Sequence, residues 1–144
     1  MAKKQIFPEY LELDALNSMG EGCMVEHLGI RFTEIGDDYL LATMPVDHRT
    51  KQPLGLLHGG ASVALAETMG SRGATLCLDL SKQYPVGLEI NTNHIKSAKE
   101  GVVTGKASPI HIGKGTQVWS IEIKNDKNQL VAVSRITLAI LDRK

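Results

Sequence analysis

The stretch Pro53–Leu80, PLGLLHGGASVALAETMGSRGATLCLDL, decides how the rest of the chain is arranged. A Gly-rich, His-bearing turn runs directly into a long apolar helix, and one acid, Glu67, sits in the middle of it. A helix that is apolar on most of its faces is a buried helix. A carboxylate in such a helix needs either a partner or a function. The helix also carries Ala61, Ser62, Ala64, Ala66, Gly70, Ser71, Gly73 and Ala74, small residues that let other backbone approach closely. Gly70 and Gly73 each cost roughly 1 kcal/mol of helix stability relative to Ala, a cost that tertiary packing must offset. The helix is expected to end near Asp79.

On the N-terminal side, residues 8–19 place Tyr10, Leu11, Leu13, Leu16 and Met19 at helical spacing, and residues 23–27 suit one more helical turn. Two strands are expected at 30–35 and 39–46, separated by Gly36-Asp37-Asp38, with Pro45 marking the end of the second. After the helix the period changes from helical to alternating. In 84–95 the alternation puts Val86, Leu88 and Ile90 on one face and Glu89, Asn91 and Asn93 on the other. Strands follow at 102–112, where Pro109 marks a bend or an edge, and at 114–124, with Trp119, Ile121 and Ile123 on one face. The last strand, 130–141, is apolar on both faces for much of its length, as a central strand should be. No strand–helix–strand repeat runs through the chain. The order predicts an α+β fold in which an antiparallel sheet wraps one long central helix.

The chain has 144 residues, a length that suits one domain spanning 1–144. Its 16 basic and 16 acidic residues cancel, so no electrostatic footprint for nucleic acid is present. No run of 18 apolar residues occurs, and the basic start MAKKQIFPEYLELD lacks the apolar segment of a signal peptide, which together predict a cytoplasmic protein away from the membrane. Cys23 and Cys77 form no paired motif, and the five His have no metal-ligand spacing, so no metal site is expected. Gly113-Lys114-Gly115-Thr116 lacks the leading Gly of a phosphate-binding P-loop, and Gly60-Ala61-Ser62 is not a nucleophile elbow.

Several segments carry a family likeness: Met44–Asp47, Gln52–Ser62 with its Leu57-His58-Gly59-Gly60, Ala66–Ser71, Val86–Asn91 through His94, and Gln117-Val118-Trp119. Together they resemble the hotdog-fold acyl-CoA thioesterases, in particular the bacterial 1,4-dihydroxy-2-naphthoyl-CoA hydrolase and enterobactin-proofreading type, relatives of the 4-hydroxybenzoyl-CoA thioesterases. The likeness covers nearly the whole chain. It implies that an aromatic or medium-chain acyl-CoA is hydrolysed, with coenzyme A as part of the substrate and no separate cofactor. It further implies sheets that join between two subunits, dimers with interfacial active sites, and pairing of dimers into tetramers.

By that resemblance Glu67 is the nucleophile or the general base on water. The Gly59 N–H polarises the thioester carbonyl, with Gln52 and His58 beside it, and Ser71 positions water or the acyl group. Gly87 supplies a substrate-contacting backbone position. His94, Ile95, Lys96 and Ser97 lie along the carrier arm and its nucleotide end, and His111-Ile112-Gly113-Lys114-Gly115 forms a turn suited to phosphate. Physical chemistry supports part of this independently, because the first N–H groups of a helix have no intrahelical acceptor and point along the positive end of its dipole. Each of these residues also has a structural reading: a helix-starting turn for Gly59, a buried ion-paired acid for Glu67, a packing residue for Ser71, solvated surface for Lys96 and Lys114. Arg72 departs from the small or apolar residue expected after Ser71. It has room to reach solvent, pair with an acid or narrow the pocket.

Helix geometry adds a constraint of its own. Glu67 lies nine residues after His58, about 13 Å along the axis and half a turn out of phase. One helix is therefore poorly placed to aim both groups at a single carbonyl, whereas Glu67 from one subunit and Gly59 from another removes the difficulty. Two other readings compete with hydrolysis: a hydratase or dehydratase of acyl thioesters, which uses a His–acid pair, and a non-catalytic acyl-CoA binder.

Overall fold

The computed structural model describes residues 4–144. The element order is α1 (Leu13–Ser18), α2 (Met24–His27), β1 (Arg31–Ile35), β2 (Leu40–Pro45), α3 (Gly59–Leu76), β3 (Gln83–His94), β4 (Val102–Ile112), β5 (Thr116–Lys124) and β6 (Leu130–Asp142). The six strands form one sheet in the order β1-β2-β4-β5-β6-β3, every pair antiparallel. The sheet wraps α3, as expected for the α+β hotdog arrangement. No described helix is long and apolar enough to cross a membrane.

The core lies between α3 and the concave face of the sheet. Leu65, Ala66, Met69 and Ala74 of the helix are completely buried, as are Trp119, Ile121 and Ile123 of β5 and Ile136 of β6. The helix reaches the sheet through its glycines. A methyl on Gly70 would lie 2.4 Å from Ile136 Cγ2, and one on Gly73 would lie 2.7 Å from the Trp119 ring. This close approach is what offsets their low helix propensity. Phe7 stacks on Trp119 at 6.2 Å between centroids, so the N-terminal segment packs onto the core there. Leu16 of α1 is buried, and Asn17 clamps β1 by donating to the Phe32 carbonyl and accepting from its N–H.

Several element boundaries differ from the sequence reading. The α1 helix is confined to Leu13–Ser18, because Pro8–Leu11 forms a turn closed by the Leu11 N–H on the Pro8 carbonyl, and Tyr10 is exposed. The central helix stops at Leu76, three residues before Asp79, where the Cys77 and Leu78 N–H groups bond Ala74 and Thr75 in a tightened last turn. β5 starts at Thr116, since Lys114 and Gly115 belong to the hairpin.

The strict alternation expected in β3 fails. A register shift between Gly87 and Glu89 makes Leu88 the extra residue of a bulge, with Gly87 opposite Leu138 and Ile90 opposite Ile136. Val86 and Leu88 are exposed, whereas Ile90 packs on the core. The bulge turns Gly87 rather than Val86 toward the helix. A similar shift follows Pro109 in β4 and turns Ile110 outward, which is the bend that the proline marks.

Gly70→Ala tests the close contact. Ala gains about 1 kcal/mol of helix propensity, whereas overpacking a rigid core costs about 1–3 kcal/mol. Because Ile136 is β-branched and fully buried, the contact dominates. Chemical denaturation is expected to show a net loss of stability for the variant, not the gain that propensity alone would give.

Candidate active site

The loop between β2 and α3 is built to present a helix start. The Asp47–Thr50 turn is closed by the Thr50 N–H on the Asp47 carbonyl, and the buried Thr50 hydroxyl donates to the Pro45 carbonyl at 2.6 Å. Arg49 bonds the Asp47 carboxylate at 2.7 Å. These bonds, first from the Arg49 side chain and then from its backbone N–H, lower the Asp47 pKa from 3.8 to about 2. Gln52 opens a second tight turn, in which Gly55 (φ 77°) donates to its carbonyl. The Gln52 Oε1 accepts from the Leu54 N–H, so its NH2 end is the donor left for a ligand. The loop is then tied down by the Leu57 N–H on Ala98 and the His58 N–H on Thr50.

His58 caps α3, with Nδ1 accepting from the Gly60 N–H at 2.8 Å. The Ala61 and Ser62 N–H groups both turn back to the His58 carbonyl. That leaves Gly59 as the first-turn N–H with no acceptor among the described residues. Gly59 faces a cleft of about 280 Å³, shared with Gln52, Ser62, His94, Ile95, Lys96 and Ser97. The His94 ring lies against Gly59, where a methyl would be 2.9 Å from Nε2. Any side chain at this position would fill the space over the N–H.

Glu67 faces elsewhere. It lines a second, more apolar cleft of about 350 Å³ between α3 and α2, with Met24, Leu28, Ile30, Val63 and Thr68. No residue lines both clefts. The half-buried Glu67 accepts from the Ser71 hydroxyl at 3.4 Å, and its Oε1 would lie 2.9 Å from a methyl at Gly87. The β3 bulge that turns Gly87 inward is therefore what makes room for the carboxylate.

The expected site residues thus fall into three groups within one subunit. Gln52, Gly59, His94, Ile95, Lys96 and Ser97 share the first cleft, with His58 as the cap beside it. Glu67, Ser71 and Gly87 form the second group. His111, Ile112, Gly113, Lys114 and Gly115 occupy the β4–β5 hairpin, closed by the Gly113 N–H on the Thr116 carbonyl. The hairpin is brought to neither cleft: Thr116 pairs with Ala139, which pairs with Val86, so it lies at the opposite end of β3 from His94.

Arg72 makes no ion pair with any described residue. Its Nη1 meets the Met19 sulfur at 3.0 Å, and its Nε is buried without a hydrogen-bond partner. Burial depresses its pKa, with Cys23 opposing. No cluster of three or more metal-ligating side chains occurs among the described residues.

Val131 and Ala98 in the first cleft, and Met24, Leu28 and Ile30 in the second, were not expected as lining residues. They carry no chemistry that a sequence motif could flag. Only Val131 had a usable signal, since its carbonyl takes the Ile95 N–H through strand register.

The fold and these two clefts can be set beside known proteins. The sequence model of the thioesterase superfamily matches residues 54–132. This chain belongs to that superfamily. Its reaction class is thioester hydrolysis. The chain is 58% identical over 136 residues to the 1,4-dihydroxy-2-naphthoyl-CoA hydrolase of Escherichia coli K12, covering 94% of this chain and 99% of that protein. It is 48% identical over 136 residues to the proofreading thioesterase EntH of Cronobacter sakazakii, covering 94% and 98%. The crystal structure of a thioesterase from Haemophilus influenzae superimposes with a TM-score of 0.91 at 47% identity, covering 95% of each chain.

The Asp47 turn gives a pH-dependent test of the loop. A carboxyl with a depressed folded-state pKa contributes stability that is present above its unfolded value and lost as pH falls through the folded one. Thermal melts should show Asp47→Asn less stable than wild type at neutral pH. The gap should close as pH falls from about 4 toward 2.

Proposed function

We propose that the protein hydrolyses an acyl-CoA whose acyl group is aromatic, of the 1,4-dihydroxy-2-naphthoyl or hydroxybenzoyl kind, in a site shared by two subunits. Medium-chain acyl groups are the second substrate class. The aromatic acyl group is suggested by the 58% identity to the 1,4-dihydroxy-2-naphthoyl-CoA hydrolase of Escherichia coli K12, and the observation that carries the shared site is the division of α3 into two outlooks. Its first unbonded N–H opens into one cleft, and its only acid opens into another.

A thioester needs a stabilised oxyanion, an attacking group and a held carrier. In this reading the Gly59 N–H, aided by the helix dipole and the Gln52 amide, donates to the thioester oxygen. Glu67 attacks the carbonyl carbon to form an acyl anhydride and expel the CoA thiolate, and water then cleaves the anhydride to release the acid and restore Glu67. Alternatively Glu67 takes a proton from a water that attacks the thioester and displaces the CoA thiolate, which is protonated as it leaves. Ser71, hydrogen-bonded to Glu67, holds the carboxylate or that water. His94, Ile95, Lys96 and Ser97 receive the pantetheine arm and the nucleotide end.

The second subunit supplies what one lacks. β3 is a long edge strand whose one neighbouring strand among the described residues is β6, with Val86 and Leu88 exposed. An open, apolar edge is suited to pairing with a copy of itself. Antiparallel pairing of β3 with its twofold mate brings the Gln83 end of one strand beside the His94 end of the other. The partner's Glu67–Gly87 pair then approaches the Gly59 cleft, and the His111–Gly115 hairpin arrives from the same side, with Lys114 available for phosphate. Association of dimers into tetramers, as the family likeness suggests, is compatible with this arrangement. A hydratase would pair its acid with a His, whereas the Glu67 side chain is engaged by Ser71.

Thiol release from a panel of aryl- and fatty-acyl-CoAs tests the reading. Glu67→Ala should lower kcat by about a hundredfold or more without lowering thermal stability. Full activity in that variant would instead identify a site without the acid. Equal mixtures of Glu67→Ala and Gln52→Ala chains, refolded together, should recover about a quarter of wild-type activity, since half the dimers are mixed and half their sites intact. No recovery in demonstrably mixed dimers counts against the shared site.

A further inference from the structure

Four residues of α3 carry a hydroxyl, and three of them use it within the helix. Thr68 and Thr75 donate to the carbonyls of Ala64 and Ser71, and Ser71 donates to the Glu67 carboxylate. Ser62 differs. The acceptor one turn back, the His58 carbonyl, already takes the Ala61 and Ser62 N–H groups. The Ser62 hydroxyl makes no hydrogen bond with any described residue. Yet Ser62 is only 1% exposed, and the other buried polar residues, Thr50, Gln117 and Ser134, each bond a described neighbour.

A buried hydroxyl without a protein partner destabilises the fold. Alanine would remove that cost and favour the helix, and α3 already holds Ala61, Ala64 and Ala66. Packing therefore supplies no reason for a serine here. What little surface Ser62 keeps opens on the cleft that the Gly59 N–H faces. The two residues are three apart, neighbours on one side of the helix and about 4.5 Å apart along its axis. Helical side chains lean toward the N-terminus, which carries the hydroxyl toward the first turn. One oxygen about 3 Å from each donor meets both.

We propose that Ser62 is a catalytic residue, its hydroxyl donating with the Gly59 N–H to the thioester oxygen as the tetrahedral intermediate forms. This rests on the reading above that the Gly59 cleft receives the thioester. Attack on the carbonyl carbon moves an electron pair onto its oxygen, and return of that pair expels the CoA thiolate. The oxygen is fully charged only between those two events, so a donor aimed at it binds the transition state more strongly than the substrate. With no base hydrogen-bonded to it, Ser62 keeps its proton and is a donor, not a nucleophile. The hydroxyl that the fold leaves unmatched thus finds its acceptor during turnover.

The test is steady-state hydrolysis of benzoyl-CoA and octanoyl-CoA by wild type and Ser62→Ala, with thermal melts of both proteins. Ser62→Ala should lower kcat by about ten- to hundredfold for both substrates, because the thioester oxygen is common to them, and should change KM by less than about threefold. Its Tm should stay at the wild-type value or rise by up to about 5 °C. A kcat for Ser62→Ala within about threefold of wild type overturns the assignment. A loss carried by KM alone overturns it by placing the hydroxyl on the carrier arm, and a loss confined to one acyl group overturns it by placing the hydroxyl on that group. A lower Tm, or a variant that does not fold, overturns it by making the hydroxyl structural. Each of these outcomes leaves the acyl-CoA reading standing. Hydrolysis of neither substrate by wild type overturns that reading and this assignment together.

Discussion

The structure depends on how closely one helix backbone can approach one sheet. Gly70 and Gly73 bring α3 against Ile136 and Trp119 at distances that no side chain would allow. That contact sets both the depth of the helix and its rotation about its own axis. Once those are set, little freedom is left. The buried stripe of Leu65, Ala66, Met69 and Ala74 must face the sheet, so Glu67 and Ser71 must face the β3 side and the Gly59 end must open beside His94. The chemistry of the site is thus inherited from packing several residues away. A helix that sat further from the sheet would carry the same residues and aim none of them.

The β3 strand is the other half of this constraint. As a regular strand it would have turned Val86 toward the helix, and a valine there would occupy the space of the Glu67 carboxylate. The bulge at Leu88 substitutes Gly87, whose missing side chain accepts the carboxylate against bare backbone. Bulges beside active sites commonly re-aim residues in this way. It also sends Leu88 outward on the open edge, so one irregularity both makes room for the acid and adds apolar surface to that edge.

The fold was legible in the sequence because its signals are periodic. The small-residue helix, the alternating strands and their order are patterns of polarity, and the α+β arrangement follows from them. What was not legible came from local geometry that polarity does not encode. The Gly87–Glu89 register shift leaves no mark in an alternation of apolar and polar residues, since Val86, Leu88 and Ile90 read as one face. The helix end at Leu76 was hidden because Cys77 and Leu78 are as apolar as the residues before them. In the candidate site, chemistry-bearing residues such as Gly59, Gln52, His94 and Glu67 were visible, and the nine-residue spacing already implied that two of them look apart. The apolar walls were invisible, because Val131, Leu28 and Ile30 read as ordinary core. Arg72 stood out as a departure, but its lack of an acid partner is a fact of three dimensions.

The helix that carries both Gly59 and Glu67 also acts as a ruler. Each inserted or deleted residue between them would turn one group by about 100° relative to the other and shift it by about 1.5 Å. The loop from Asp47 to Leu57 has no such phase to keep, only a fixed point of arrival at His58. Length variation in this lineage should therefore be written into the loop and be absent from the interval between the glycine and the acid.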